Sequence, residues 1–370
     1  MTLLVAVDLP GGPAFVDALQ RAWDAGEAVL PLDPRLAVPA RRQVLDALAP
    51  GAIVDGSGRR LRAGGRPVAD GDALVVATSG TTGPPKGVVL THAAVAASAS
   101  ATSARLGVDP QRHRWLACLP LSHVGGLSVV TRALLTGTAL EVHPGFDVAA
   151  VVAAAGPQVL VSLVPTALRR VGAERFGTVV LGGSAPPPRH ELAPNVVTTY
   201  GMTETGSGVV YDGVPLEGVE VAIGEGGEVR LRGPMLLRAY RDGTVPLDAE
   251  GWFATGDAGA VGSDGRLVIR GRLSDLIISG GENVWPAAVE AILRRHPGVA
   301  DVVVAGRPDP EWGERVVAWV VPADPAAPLT LESLRALVKE QLAPWAAPRQ
   351  LVLLDSLPKT SLGKVRRQDL

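Results

Sequence analysis

The sequence predicts an α/β protein. A large N-terminal domain of layered sheets and helices, with a small β-barrel-like subdomain, is followed by a small mobile α+β C-terminal domain. Three features lead there. Short β-branched runs alternate with Ala- and Leu-rich stretches over the first part of the chain; from Gly218 short strand-like runs sit between Gly/Asp turns; after Arg272 helical and strand runs alternate again on a shorter scale. Buried strands separated by helices argue for α/β layers with largely parallel sheets. Closely spaced strands joined by tight turns argue for an antiparallel, barrel-like unit.

In chain order, Leu74–Ala77, Val159–Leu163, Val179–Leu181 and Val196–Thr199 read as buried strands, and Ala93–Ala104, Val148–Ala155 and Pro165–Val171 as helices. Val219–Ile223, Glu228–Arg232 and Arg266–Arg270 read as the short strands of the second region, the last entered through the turn Ser263-Asp264-Gly265. A helix over Pro286–Arg295, strands over Ala300–Ala305 and Arg315–Val321, a helix over Leu331–Ala343 and a strand over Gln350–Leu354 complete the chain. Gly182–Pro188 and Pro322–Pro328 are loops. The expected domains are residues 1–272, with the barrel-like part at about 214–272, and 273–370 as a lid.

At roughly 100–200 residues per domain, 370 residues, 47% of them hydrophobic, fit this division. A formal net charge of −2 lacks the basic excess of a nucleic-acid binder. The single cysteine, Cys118, excludes an internal disulfide and points to a reducing compartment. Met1–Pro10 has no positive stretch before its apolar residues and does not read as a signal peptide. No apolar run approaches the ~18 residues of a membrane span, so a cytoplasmic location is expected. The six histidines show no His-Glu-x-x-His spacing, which argues against zinc. Of 35 basic residues only Lys86, Lys339, Lys359 and Lys364 are lysine. Where arginine is so strongly preferred, a retained lysine marks a place that needs a compact ammonium.

The segment Thr78-Ser79-Gly80-Thr81-Thr82-Gly83-Pro84-Pro85-Lys86-Gly87 follows a strand run. Its glycines let consecutive N–H groups converge on an anion, its hydroxyls add donors, and Lys86 adds charge. Such a loop suits a polyphosphate. It is not a Walker loop, because Pro85 precedes the lysine and Gly87 stands where the magnesium-holding Ser/Thr would be.

This loop resembles the phosphate loop of the adenylate-forming enzymes: acyl-CoA synthetases, peptide-synthetase adenylation domains and luciferases. Further motifs follow in the family's order. Tyr200-Gly201-Met202-Thr203-Glu204 resembles the adenine and magnesium motif, and Gly251 to Asp257 the ribose motif. Gly271-Arg272-Leu273-Ser274-Asp275, continuing to Asn283, resembles the hinge, and Pro358 to Lys364 the catalytic-lysine motif. The likeness covers nearly the whole chain from about residue 74.

The resemblance implies a two-step reaction. A carboxylate and Mg²⁺·ATP give an acyl-adenylate, and coenzyme A then displaces AMP. It assigns nucleotide contacts to Thr78, Ser79, Gly80, Thr81, Thr82, Gly83 and Lys86, to Gly183, Ser184, Thr199, Tyr200 and Gly201, and to Asp257 and Arg272. Thr203 is assigned to the α-phosphate, Glu204 to Mg²⁺, and Lys364 to catalysis of adenylation. Chemistry agrees: Tyr200 can stack on a purine, Glu204 is a hard oxygen ligand, and Asp257 can accept from ribose hydroxyls. Lys364 can meet the charge that builds as carboxylate attacks phosphorus. Ser274 is placed at the hinge, where the superfamily usually has an acidic residue, and Gly280 and Gly281 at the CoA channel.

The run Leu119-Pro120-Leu121-Ser122-His123-Val124-Gly125-Gly126-Leu127, then Arg132, Ser162 and Leu181-Gly182-Gly183-Ser184, is similar to that of the 2-succinylbenzoate-CoA ligases of menaquinone biosynthesis. That resemblance implies that Arg132 and Ser162 hold the second, unreacting carboxylate and that His123 lines or gates the pocket. An arginine and a hydroxyl suit that task through charge-assisted hydrogen bonds, whereas a fatty-acyl ligase needs a long apolar tunnel. Another aryl or acyl acid, or loading of a carrier protein, is the alternative; a non-enzymatic nucleotide-binding regulator fits poorly with both Glu204 and Lys364 present. Only 77 residues precede the phosphate loop, fewer than the family usually has, so a trimmed N-terminal subdomain is expected. The expected partners are the acid and CoA, with a homodimer left open.

Overall fold

The computed structural model describes residues 2–78, 85–327, 329–358 and 365–370. The chain divides into two compact units, Met1–Val221 with Arg230–Ala254, and Ala222–Val229 with Thr255–Leu370. This division follows packing and places residues 255–272 with the C-terminal part, whereas the boundary expected from the sequence lies at residues 272–273. Among the described residues no helix is long and apolar enough to cross a membrane.

The first unit holds two seven-stranded sheets. One runs in the order Ala239–Tyr240, Lys86–Thr91, Asp72–Thr78, Ala28–Pro31, Leu4–Val7, Ala52–Asp55, Gly58–Leu61. Its centre is parallel, but Asp72–Thr78, Lys86–Thr91 and Ala239–Tyr240 pair antiparallel, so this sheet is mixed. Residues Lys86–Thr91, between the phosphate loop and the helix His92–Arg105, form a strand because Gly87–Leu90 are buried on the sheet. Thr91 ends that strand and caps the helix, its hydroxyl accepting from Ala94 N at 3.1 Å.

The other sheet runs Val214–Pro215, Gly208–Tyr211, Val196–Gly201, Thr178–Leu181, Val159–Leu163, Arg114–Ala117, Ala139–Val142. Its five strands from Val196–Gly201 onward are parallel, as expected of two-sided burial. Val161, Leu163, Val179 and Leu181 pack with Val151, Ala167 and Val171 from the helices Val148–Ala153 and Pro165–Val171.

The barrel-like region takes the form of a four-stranded sheet, ordered Glu220–Ile223, Glu228–Arg232, Phe253–Val261, Leu267–Arg272. In the second unit a five-stranded sheet centres on the long antiparallel pair Val299–Asp309 and Gly313–Pro322. Both faces of this pair are covered. Val302, Val304, Val316, Ala318 and Val320 pack with the helices Pro286–Leu293 and Leu331–Lys339, while Val303, Val317 and Trp319 pack with Leu357 and Val365. Two-sided burial is why these strands read as continuous valine runs and not as an alternating pattern.

One ion pair ties the first sheet to its edge. The Asp72 carboxylate accepts both Arg238 nitrogens at 2.8 Å and Ala69 N at 2.9 Å. The Asp72 side chain is 1% exposed and that of Arg238 44%. Arg238→Ala strands a buried carboxylate, at about 3–5 kcal/mol, whereas Asp72→Ala releases the arginine to water at about 1.5–3 kcal/mol. The arginine variant is therefore expected to have the lower unfolding midpoint; the opposite order in a thermal melt contradicts this asymmetry.

Candidate active site

The site in the first unit is built around a turn, Met202–Gly208, that leaves the strand Val196–Gly201. Gly201 is required by close approach: a Cβ there would lie 2.2 Å from Ser207 O. Thr205, fully buried, receives Met202 N at 2.9 Å and donates toward Met202 O and Ser207 O at 2.9 and 2.6 Å. Leu237 N reaches Glu204 O at 2.8 Å. Glu204 is thus held through its backbone from two sides, and its Oε1 accepts from the Tyr240 hydroxyl at 3.0 Å. The Lys86 ammonium lies 5.4 Å from the centre of the Tyr240 ring, within cation–π range.

At Thr78 the phosphate-loop strand ends, its hydroxyl 3.3 Å from Lys86 O across the hairpin. Ser79, Gly80, Thr81, Thr82, Gly83 and Lys364 lie outside the described residues. Gly183 and Ser184 are exposed beyond the strand Thr178–Leu181. Thr199 donates to Leu181 O at 3.3 Å, with Tyr200 next to it on the strand. Among the described residues no group of three or more His, Cys, Asp or Glu side chains is placed to hold a metal ion. A single carboxylate fits Mg²⁺, which takes most of its ligands from phosphates and water.

The same turn reaches a second feature. Arg132, on the helix Val124–Thr136, is 1% exposed. Its Nη2 donates to Ser207 Oγ at 3.1 Å, and its guanidinium stacks 4.6 Å from the centre of the buried Trp115 ring. Nε and Nη1 are buried without a protein acceptor. Apolar Leu74, Leu90, Leu127 and Met235 line the cavity that Arg132 borders. Burial holds its pKa below the ordinary arginine value, but the group stays charged at neutral pH.

Ser162 is buried on the strand Val159–Leu163. Trp115 pairs with Leu160, and strand alternation puts Ser162 on the same sheet face as Leu160. Arg132 and Ser162 therefore share one face of the sheet. His123 precedes the first turn of the Arg132 helix; burial lowers its pKa, with Asp33 opposing and Arg35 adding to the shift.

In the second unit, Asp257 lies inside the strand Phe253–Val261, not in a turn; Gly256, at φ 69°, supplies the local irregularity. Arg272 is its registered partner on the neighbouring strand, and its Nε lies 2.8 Å from Asp257 Oδ1. Arg272 Nη1 also donates to Thr255 O at 3.0 Å. Leu273–Asp275 forms one 3₁₀ turn containing Ser274. Gly280, at φ 63°, sits against Trp312, where a Cβ would lie 2.8 Å from the indole; Gly281 follows at φ 82°. The segment around Lys364 has anchored ends. Arg366 N donates to Pro358 O at 2.8 Å, and Val365 packs with Leu357. Arg367 pairs with the buried Glu290 and lies 3.5 Å from Asp275.

Residues 64–241 match the family described as AMP-binding enzyme, and residues 288–364 match its C-terminal domain. A probable 2-succinylbenzoate–CoA ligase of Mycobacterium tuberculosis is 39% identical over 393 residues, covering 99% of this chain and 97% of that one. The chain belongs to this ligase family. A 2-succinylbenzoate–CoA ligase of Bacillus licheniformis is 36% identical over 81% of this chain and 70% of its own. Among solved structures, the o-succinylbenzoate CoA synthetase of Bacillus subtilis, in complex with its acyl-adenylate intermediate, has a TM-score of 0.87 at 28% identity, covering 99% of this chain and 87% of that one. The same Bacillus enzyme in complex with ATP and magnesium ion matches with a TM-score of 0.87 at 28% identity, over 100% of this chain and 89% of that chain.

Sequence reasoning missed Tyr240 and Ser207. The glycine-flanked polar turn Thr-Gly-Ser-Gly was a local signal for Ser207, but nothing local marked Tyr240. Cys118, buried on the second sheet's core, has its thiol pushed up to about 12 by burial. At pH 8 the thiolate fraction is then on the order of 10⁻⁴. Cys118 is expected to resist thiol reagents in the folded protein and to react on unfolding, and Cys118→Ser is expected to keep ligase activity. Rapid native labelling, or a folded Cys118→Ser protein without thioester formation, contradicts this.

Proposed function

We propose that the chain is an AMP-forming 2-succinylbenzoate–CoA ligase. The observation that carries this reading is Arg132: a buried guanidinium, stacked on Trp115, with Nε and Nη1 still to be matched. A monocarboxylic fatty acid has nothing to offer such a group. A substrate with two carboxylates has one for Arg132 and one for activation. Family membership supports the reaction, and the acyl-adenylate complex of the Bacillus relative supports the order of its steps.

In the first step the free carboxylate attacks the α-phosphorus of ATP and pyrophosphate leaves. Lys86 and the loop from Thr78 bind the polyphosphate, Thr203 donates to the α-phosphate, and Lys364 meets the developing charge. Glu204 would hold Mg²⁺ on the protein side, and the ion would supply neutralisation of phosphate charge. In the second step the CoA thiolate attacks the acyl carbonyl and AMP leaves. The thiolate needs the path that Lys364 covers during adenylation, so we place a backbone pivot at Leu273–Ser274 that presents Gly280 and Gly281 to the pantetheine arm.

ATP–pyrophosphate exchange over 2-succinylbenzoate, simple benzoates and fatty acids is expected to be fastest with 2-succinylbenzoate. Arg132→Leu should raise its KM by roughly 10–100-fold, the loss of one charge-assisted contact, with the ATP KM nearly unchanged. Preference for a monocarboxylate overturns the substrate assignment and leaves the ligase chemistry standing; transfer to a carrier protein but not to CoA overturns the acceptor.

The half-reactions separate the two roles of the second unit. Lys364→Ala should slow adenylation by ~10²–10³-fold and spare thioester formation from preformed acyl-adenylate. Ser274→Pro, which fixes φ and removes a backbone donor, should abolish one half-reaction and keep the other. Equal loss of both steps in the lysine variant, or both steps intact in the proline variant, contradicts the assignment concerned.

A further inference from the structure

Tyr240 occupies a position that the nucleotide motifs do not account for. It belongs to the two-residue edge strand Ala239–Tyr240, with Ala239 opposite Val89 and Tyr240 opposite Val88. Its backbone is fixed on both sides. Arg238 N donates to Val89 O at 2.9 Å and its guanidinium holds Asp72. Arg241 N donates to Gly87 O at 2.7 Å, and its guanidinium serves the carbonyls of Leu48, Arg66 and Pro67. Side chains of such a clamped strand have little freedom, so where the Tyr240 hydroxyl ends is set by the fold.

It ends 3.0 Å from Glu204 Oε1, while the ring of the same residue lies under the Lys86 ammonium. One side chain thus touches both the cation-binding carboxylate and the phosphate-loop lysine, the only described side chain the contacts place against both. Packing alone does not need the hydroxyl, since phenylalanine fills the same space. A tyrosine hydroxyl is a neutral hydrogen-bond donor at ordinary pH.

We propose that Tyr240 is a positioning residue for the magnesium–nucleotide complex. Its hydroxyl takes up Glu204 Oε1 and fixes the carboxylate, so that Oε2 is the oxygen offered to Mg²⁺, and its ring sets the height of Lys86 beside the phosphates. Outer partners of this kind orient metal-binding carboxylates, and their removal typically weakens metal binding about 10–100-fold. The proposal rests on the reading of Glu204 as the Mg²⁺ ligand.

The test is nucleotide binding without acid substrate, so that no turnover occurs. ATP dissociation constants are measured by calorimetry with Mg²⁺ and with EDTA, and their ratio gives the gain from the metal. Tyr240→Phe is expected to reduce that gain about tenfold and to leave ATP binding in EDTA unchanged. Tyr240→Leu is expected also to weaken ATP in EDTA, because Lys86 loses its aromatic face. Glu204→Gln is the reference and should remove most of the metal-dependent gain. An unchanged ratio in Tyr240→Phe beside an impaired Glu204→Gln overturns the proposal for Tyr240 alone. Unchanged ratios in both remove the assignment of Glu204 on which it stands. Equal weakening of Tyr240→Phe with and without metal shows a merely structural residue and also overturns it.

Discussion

Asp72 is the buried charge to which the nucleotide side of the first unit is referred. Its carboxylate cannot remain in the sheet without a partner, and Arg238, 166 residues away in sequence, supplies both donors. Satisfying that charge fixes the segment Met235–Arg241 against the strand Lys86–Thr91. Everything downstream is short-range. Leu237 N then reaches Glu204, Tyr240 reaches Glu204 and Lys86, and Arg241 closes on three carbonyls. A desolvated carboxylate is a strong constraint because the alternative registers leave it unpaired.

The turn Met202–Gly208 is a second junction. Glu204 and Ser207 lie three residues apart, on a turn whose geometry is set by Thr205 and by the lack of a side chain at Gly201. On the proposed reading the first belongs to the magnesium–phosphate side, and the second touches Arg132. That reading makes recognition of the acid and handling of ATP mechanically adjacent within one unit. In the second unit the buried Glu290 plays a comparable part. It receives Val304 N at 2.9 Å, Arg294 at 3.2 Å and Arg367, gathering a helix, a strand and the segment after Lys364.

Much of this was legible because it is local. Strand runs such as Val159–Leu163 and the helix Pro165–Val171 fall where their patterns put them. The ordered motifs also marked Glu204, Arg132 and Asp257. What escaped was set by distant pairing. Lys86 reads as part of a loop that leads to a helix, yet burial of Gly87–Leu90 between two strands makes it the start of a strand. Asp257 was marked by its motif, but its place inside a strand, opposite Arg272 on the neighbouring strand, was not. Tyr240 lies 36 residues from Glu204 in a stretch with no motif, and pairing of its strand with Lys86–Thr91, held by Arg238 on Asp72 and by Arg241 on three carbonyls, brings it back.

Arg132 has a consequence for selection on this chain. A guanidinium held at 1% exposure, with two nitrogens lacking protein acceptors, is a standing liability for the folded state. Replacing a buried ion pair by apolar side chains of similar volume is often neutral or stabilising by about 1–4 kcal/mol, and a buried guanidinium that donates to a hydroxyl, Ser207 Oγ, has less Coulombic attraction to lose. A search for heat-resistant variants by melting point alone will therefore favour Leu or Met at position 132. If Arg132 holds the second carboxylate as proposed, the proteins it returns will be more robust and less able to distinguish a dicarboxylic acid from its apolar analogues. On that reading, resistance to heat and choice of substrate are opposed at this one side chain.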